Sequence, residues 1–311
     1  MKILILKHGA LGDMINATGA FSAIRQAFPQ DEITLLTSSR YEDLAHQMRF
    51  FNHVWHDDRS KNPLNIWRLC RKISQERFDW VFDLQNSSRT SFYFWLLSPK
   101  PFWSGIAPGC SHPQTREDRR LLPASLRFCD QLKMAGLPLN TLEISPDMSW
   151  LKTDVSKFAL PKKYVLLVPG SSRGGIVKRW PITGYIDLAK ALITDGITPV
   201  LIGGDDEKEV LEHIASDAPL CLNLGNKTSF LEVGGLARYA VATIGNDTGA
   251  VHLSAAMGCP TLILWSNFSS PDVFAPRGAN VQIMYQENIS TLTSDTVYKE
   301  FKDFVKIIAI N

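Results

Sequence analysis

Ile244-Gly-Asn-Asp-Thr-Gly-Ala-Val-His-Leu-Ser-Ala-Ala-Met257 is the stretch on which the fold of this chain turns. Tyr239-Ala-Val-Ala-Thr-Ile244 ahead of it has the apolar, β-rich make-up of a buried strand, and Pro260-Thr-Leu-Ile-Leu-Trp265 behind it supplies the next one. A helix must therefore begin between them. Asp247 and Thr248 stand at that start, both residue types that cap free backbone N–H groups. Gly249 leaves the first turn bare, so a ligand can approach the backbone. Such a helix start favours an anion, most naturally a phosphate, and His252 in the next turn adds a donor. Taken alone, the stretch also fits an ordinary capped core helix of an α/β sheet.

A second strand-to-helix corner lies at the other end of the chain. Met1-Lys-Ile-Leu-Ile-Leu-Lys7 reads as a buried strand, His8-Gly-Ala-Leu-Gly-Asp13 as a loop, and Met14 to Phe28 as a helix closed by Pro29. Gly9 and Gly12 are three apart, so the G-x-G-x-x-G dinucleotide fingerprint is missing and a dehydrogenase loses its main support. Asp13 is either the N-cap of that helix or a catalytic base. A third loop follows the strand Tyr164-Val-Leu-Leu-Val-Pro169. Gly170-Ser-Ser-Arg-Gly-Gly-Ile-Val-Lys-Arg-Trp-Pro181 offers two hydroxyls, a glycine pair and three cations, a composition suited to a diphosphate. The other reading is a solvated basic loop.

Between these corners, apolar runs alternate with amphipathic stretches. Strands are expected at 2–7, 32–37, 79–84 and 102–106, with helices near 14–28, 41–48, 63–77, 86–97 and 123–135. A second series has strands at 164–168, 197–202, 219–224, 240–244 and 261–265, with helices at 181–194, 205–216, 228–238 and 248–257. This alternation predicts an α/β protein of doubly wound parallel sheets, with ligands at the carboxyl ends of the strands. Leu137 to Pro161 breaks the rhythm and carries three prolines, which places an interdomain linker there. The expected domains are 1–150 and 160–285, with a helix over 290–311 packing against them. Two sheets facing each other across a cleft would bring the Asp13 loop opposite the Asp247 loop.

Composition excludes several classes. The 311 residues suffice for two cores, and 45% hydrophobic with 21% charged residues is ordinary for a globular enzyme. A net charge of +2 argues against nucleic acid as a partner. Five cysteines without C-x-x-C spacing read as reduced thiols, not as disulfides or a zinc site. No signal-type segment precedes the first strand and no apolar run approaches the ~20 residues that span a bilayer, so the expected compartment is cytoplasmic. No Asp-x-Asp occurs, and Asp205-Asp206 reads as a pair of helix-starting acids, so no metal is expected. Tyr93-Phe-Trp-Leu-Leu97 with Phe102-Trp103 reads as core, the alternative being contact with a membrane.

Motifs in sequence order carry a resemblance to a known family. Lys7-His-Gly-Ala-Leu-Gly-Asp13, Asp83-Leu-Gln85, Pro169-Gly-Ser-Ser172, Lys178-Arg-Trp-Pro181, Gly203-Gly-Asp-Asp-Glu207, Thr228-Ser-Phe-Leu-Glu232 and Gly245-Asn-Asp-Thr-Gly249 with His252 span nearly the whole chain. Together they resemble the bacterial ADP-heptose:lipopolysaccharide heptosyltransferases, glycosyltransferase family 9, of the two-domain GT-B fold with Rossmann-like halves. The resemblance implies a metal-independent, inverting transfer of heptose from ADP-heptose, the donor substrate, to a hydroxyl of the lipopolysaccharide inner core. It makes Asp13 the general base and sets Lys178 against the charge of the departing diphosphate. Thr248 and Gly249 would add backbone N–H groups, His252 would join the donor-binding set, Asp247 would hold the sugar hydroxyls, Ser171 and Ser172 the diphosphate, and Glu207 and Thr228 the ribose and adenine. The anionic acceptor would meet Gly12, Arg59, Lys61, Arg89, Arg116, Arg119 and Arg120. Peripheral contact with the inner membrane is a further implication. The alternatives are a transferase of the same fold with another donor or acceptor, and a nucleotide-sugar-binding protein without turnover.

Overall fold

The computed structural model describes residues 1–171 and 178–310, and the chain divides into two compact units, Met1–Trp150 and Leu151–Asn311. The first unit contains β1 (Lys2–Leu6), α1 (Leu11–Ala27), β2 (Glu32–Thr37), α2 (Glu42–Gln47), β3 (His53–His56), α3 (Pro63–Glu76), β4 (Trp80–Asp83), α4 (Ser88–Leu96), β5 (Phe102–Gly105), β6 (His112–Pro113) and α5 (Ala124–Met134). Its six strands are all parallel, in the order β3-β2-β1-β4-β5-β6. Ile3 to Leu6 are fully buried, as a central strand covered by helices on both faces requires.

The second unit contains β7 (Tyr164–Val168), α6 (Ile182–Thr194), β8 (Thr198–Leu201), α7 (Lys208–Asp217), β9 (Leu222–Asn223), α8 (Phe230–Tyr239), β10 (Ala242–Asn246), α9 (Gly249–Ala256), β11 (Thr261–Ser266), the one-turn α10 (Pro271–Phe274), β12 (Val281–Gln286) and α11 (Ser294–Ile310). Its sheet, also parallel, runs β12-β11-β10-β7-β8-β9. Counted from each unit's own first strand, both sheets have the order 3-2-1-4-5-6. The direction of winding reverses between β1 and β4 in one and between β7 and β10 in the other, and ligands of open α/β sheets bind at such points. Within the second unit α11 lies along α6 and sends Val297 and Phe301 into the core.

Three strands escape the sequence reading: β3, β6 and β12. α1 begins at Leu11, three residues before the expected start, with Ala10 as N-cap. Asp13 is therefore the third residue of the helix and not its cap; its Oδ2 accepts a hydrogen bond from the Ala10 N–H at 3.3 Å. The aromatic run over 93–103 is split. Tyr93, Phe94, Leu97 and Trp103 are core, whereas Phe92, Trp95, Leu96 and Phe102 face solvent.

Candidate active site

At the reversal of the second sheet the loops after β7 and β10 are held by one side chain. Asn246, the fully buried last residue of β10, donates through Nδ2 to the carbonyls of Pro169 (2.8 Å) and Gly170 (3.2 Å), and its Oδ1 accepts from the Trp180 N–H at 3.0 Å. Trp180 is anchored in turn by its indole N–H on the Leu292 carbonyl at 2.8 Å. These bonds fix Lys178 and Arg179, the two residues before it. Ser172 and the rest of 172–177 lie outside the described residues.

α9 starts immediately after this anchor. Thr248 is its N-cap, Oγ1 accepting from the Val251 N–H at 3.4 Å, and the N–H groups of the bare first turn have no intrahelical acceptor. The Lys178 ammonium reaches Asp247 Oδ2 at 3.3 Å and Ser269 Oγ at 3.4 Å. On the other side of the same carboxylate, His252 Nε2 lies 3.3 Å from Asp247 Oδ1. Burial opposes the ionisation of Asp247, yet the hydrogen bonds and charges of His252 and Lys178 hold its carboxyl below the ordinary value. The result is a half-buried row of cation, carboxylate and imidazole beside a helix N-terminus. The loop after β11 continues it: Asn267, Phe268, Ser269, Ser270, Pro271 and Tyr285 line an open depression of about 640 Å³.

Glu207 joins the same edge. Arg179 bridges it to the β7 loop, donating from Nε to Ser171 Oγ (3.0 Å) and from Nη2 to Glu207 Oε1 (3.4 Å). Glu207 also accepts from the Gly204 N–H at 3.0 Å. Gly170 makes this possible, because a Cβ there would fall 2.6 Å from Glu207 Cγ. Thr228 is half-buried just ahead of α8, whose start is a capping box of Ser229 and Glu232. Asp205 and Asp206 open a single 3-10 turn ahead of α7. Among the described residues no group of three or more His, Cys, Asp or Glu side chains is placed to hold a metal ion.

The reversal of the first sheet carries Asp13. Gly9, with φ +86°, turns the chain out of β1, and a Cβ there would strike the Tyr41 ring at 2.6 Å. Asp13 is exposed on the first turn of α1. Lys7 lies buried near it, its ammonium 3.4 Å from the Leu84 carbonyl and 5.4 Å from the Phe128 ring centroid. Burial pulls the Lys7 pKa down, with Asp13 opposing and Arg127 adding to the effect. Arg127 on α5 and Arg119 on the 117–121 turn are likewise depressed by burial, Arg119 also by the charges of Arg127 and Arg120. On the β4 side, Asp83 is fully buried and its pKa is pushed up to about 6 by that burial, although it accepts from the Gln85 and Asn86 N–H groups. Gln85 Oε1 accepts from the His8 N–H at 3.0 Å, tying the two loops together.

The other cations of this unit divide. Arg116 is engaged with Asp118 at 2.6 Å and Asp130 at 2.7 Å. Arg89 is bound to Asp57 through both Nε (3.1 Å) and Nη2 (3.0 Å) and to the Ser60 carbonyl. The Asp57 carboxylate also lies 3.1 Å from His8 Nε2 and accepts from the Tyr93 hydroxyl at 2.5 Å. Burial works against its ionisation, but His8, Arg89 and Tyr93 outweigh that and hold Asp57 far below the ordinary carboxylate range. Its Oδ1 accepts from the Arg59 N–H at 2.8 Å, so this buried cluster fixes the backbone that carries exposed Arg59 and Lys61. Gly12 is half-buried at the start of α1. Lys7, Arg127, Asn246 and Ser269 were given no role by sequence reading, and Arg179 entered it only as one of the three cations of the loop after β7. Arg127 hides in an amphipathic helix and Ser269 in a loop without a motif, whereas Asn246 and Arg179 lie inside motifs already singled out.

A sheet order used twice, with polar loops gathered at each reversal, is the arrangement of the two-domain GT-B fold. Residues 66–300 match the model of glycosyltransferase family 9 (heptosyltransferase), and the chain belongs to that family. Lipopolysaccharide heptosyltransferase 2 of Salmonella typhimurium is 25% identical over 307 residues, covering 91% of this chain and 88% of that protein. The structure of Escherichia coli ADP-heptose lps heptosyltransferase II is similar over 99% of this chain and 100% of its own, with a TM-score of 0.80 at 21% identity. Escherichia coli heptosyltransferase WaaC with ADP is similar over 98% and 100%, with a TM-score of 0.78 at 17% identity.

Proposed function

We propose that this glycosyltransferase moves heptose from ADP-heptose, with inversion, to a hydroxyl of the lipopolysaccharide inner core at the cytoplasmic face of the inner membrane, without a metal ion. The observation that carries the reading is the Lys178–Asp247–His252 row beside the open start of α9. An ammonium and oriented backbone N–H groups are what a departing diphosphate needs. Lys178 and the Thr248 and Gly249 N–H groups would face the diphosphate, with Ser171 and Ser172. Asp247, held by His252, would accept hydrogen bonds from the sugar hydroxyls, and Glu207 and Thr228 would meet ribose and adenine. Asp13 would take the acceptor proton as the new C–O bond forms, which needs no unusual pKa. Arg119, Arg120, Arg59 and Lys61, together with Gly12 and now Lys7 and Arg127, would hold the anionic acceptor. Arg116 would contribute only by leaving its two carboxylate partners.

Calorimetric titration with ADP, UDP, GDP and CDP, in the presence of EDTA, tests the donor side. Selective binding of ADP is expected. Preference for another base would replace the donor, and binding that returns only with added metal would remove the metal-independent mechanism.

A further inference from the structure

The outer sides of α3 and α4 form a surface that the transfer reaction does not use. The two helices pack side by side and share one core, Cys70 and Ile73 from α3 with Tyr93 and Phe94 from α4. Their opposite sides should be polar. Instead Leu64 (62% exposed), Trp67 (51%), Phe92 (51%) and Trp95 (62%) stand in solvent. Exposed cations on α3 and in the segment after α4 accompany them: Arg68, Arg71, Lys72 and Lys100. The sequence has no Asp or Glu from Arg59 to Gln75, nor from Leu84 to Thr115. The Arg71 guanidinium lies 5.3 Å from the Trp67 ring centroid, so cation and aromatic form one patch.

We propose that the α3–α4 face seats the first unit on the headgroup layer of an anionic phospholipid bilayer. Indole rings settle at the boundary between headgroups and acyl chains, where one edge is wet and the other apolar. Lysine and arginine beside them meet lipid phosphates, and Glu76, the one acid of α3, is neutralised by an ion pair with Lys2 at 3.0 Å. Nucleic acid would also attract the cations and stack on the rings, but it gives the Leu64 and Leu96 side chains no hydrocarbon to enter. The inference rests on the peripheral membrane contact proposed above and assigns it to particular side chains.

The test uses the full chain, W67S/W95S and R68E/R71E, sedimented with equimolar phosphatidylglycerol–phosphatidylcholine vesicles and with phosphatidylcholine alone. Heptosyl transfer from ADP-heptose to a deacylated, water-soluble inner-core acceptor is measured alongside. The unaltered chain is expected to sediment with the anionic vesicles, and each double variant to partition at least about tenfold more weakly, as does the unaltered chain on phosphatidylcholine alone. Transfer to the soluble acceptor is expected to stay unchanged in both variants. Failure of the unaltered chain to sediment, or undiminished sedimentation of W67S/W95S, would overturn the proposal. Binding to a single-stranded oligonucleotide that depends on the same residues, without vesicle binding, would overturn it too. Absent transfer with vesicle binding intact would sink the transferase reading and still support this face as a lipid contact.

Discussion

Asp57 shows how a buried charge can serve a site it does not touch. Three side chains converge on its carboxylate, and the backbone that bears Arg59 hangs from it. Asp57→Asn leaves the Arg89 guanidinium poorly matched in a buried setting, and a loss of about 3 kcal/mol in unfolding free energy is expected. The pH dependence has a definite sign. A carboxyl depressed in the folded state stabilises above its unfolded pKa of about 3.8 and loses that contribution as pH falls toward its folded value. The stability gap between the unaltered chain and Asp57→Asn should therefore narrow as urea melts are taken below pH 4; a gap that stays constant would show that the carboxylate's charge is not what matters. The two side chains proposed to assist the transfer, Asp13 and Lys178, give a sharper contrast. Asp13→Asn should keep ADP affinity and lose about a thousandfold in transfer rate, the effect of removing a general base. Lys178→Ala should weaken ADP binding about tenfold or more, as loss of a charged hydrogen bond does. Calorimetry and single-turnover rates separate the two, and full activity of Asp13→Asn would remove the base assignment.

At the scale of the element, the interior strands were legible in the sequence, and of the four edge strands only β9, expected over 219–224, was. β1, β4, β7, β10 and β11 are buried on both faces, so apolar runs announce them. β3, β6 and β12 lie at sheet edges, where half their surface meets water and the run is broken by polar residues, as in Val281-Gln-Ile-Met-Tyr-Gln286. α1 was read as starting late because Ala10 has no side-chain oxygen to announce a cap. The site was legible where loop chemistry repeats at a strand end, as in Asp247-Thr-Gly. It was not where a residue arrives from a helix face, as Arg127 does. The Thr228–Glu232 motif proved informative for another reason: its Ser229 and Glu232 close a capping box, so part of the motif builds the helix start. Asn246 is the joint between these elements. Asn246→Ala strands two carbonyls and one N–H, and should cost about 3 kcal/mol at roughly 1 kcal/mol each. It should also lower ADP affinity, because the Lys178 loop hangs from Trp180. Denaturant midpoints with calorimetry measure both, and unchanged affinity would show that the loop keeps its place without this anchor.

For the molecule as a whole, every residue proposed for the donor side falls in the second unit and Asp13, the proposed base, in the first. Saturating ADP at about a hundred times its Kd should stabilise the fold by about 2.7 kcal/mol. In hydrogen-exchange experiments the added protection should concentrate at 169–171, 178–180 and 246–252. Protection confined to residues 1–150 would remove the donor site from the second unit.

The repeated sheet order has a consequence for how the chain is made. Among the described residues no strand of either sheet pairs outside its own unit, and all six strands of the first sheet lie before residue 150. On the ribosome, the first half can reach its final hydrogen bonding while the second is still being translated. Each half meets the same schedule: the strand synthesised first, β1 or β7, waits for β4 or β10 some seventy-five residues later to cover its open side. During that interval an apolar strand edge stands exposed. Translation pauses or chaperone capture would therefore matter most in two windows, between Leu6 and Trp80 and again between Val168 and Ala242.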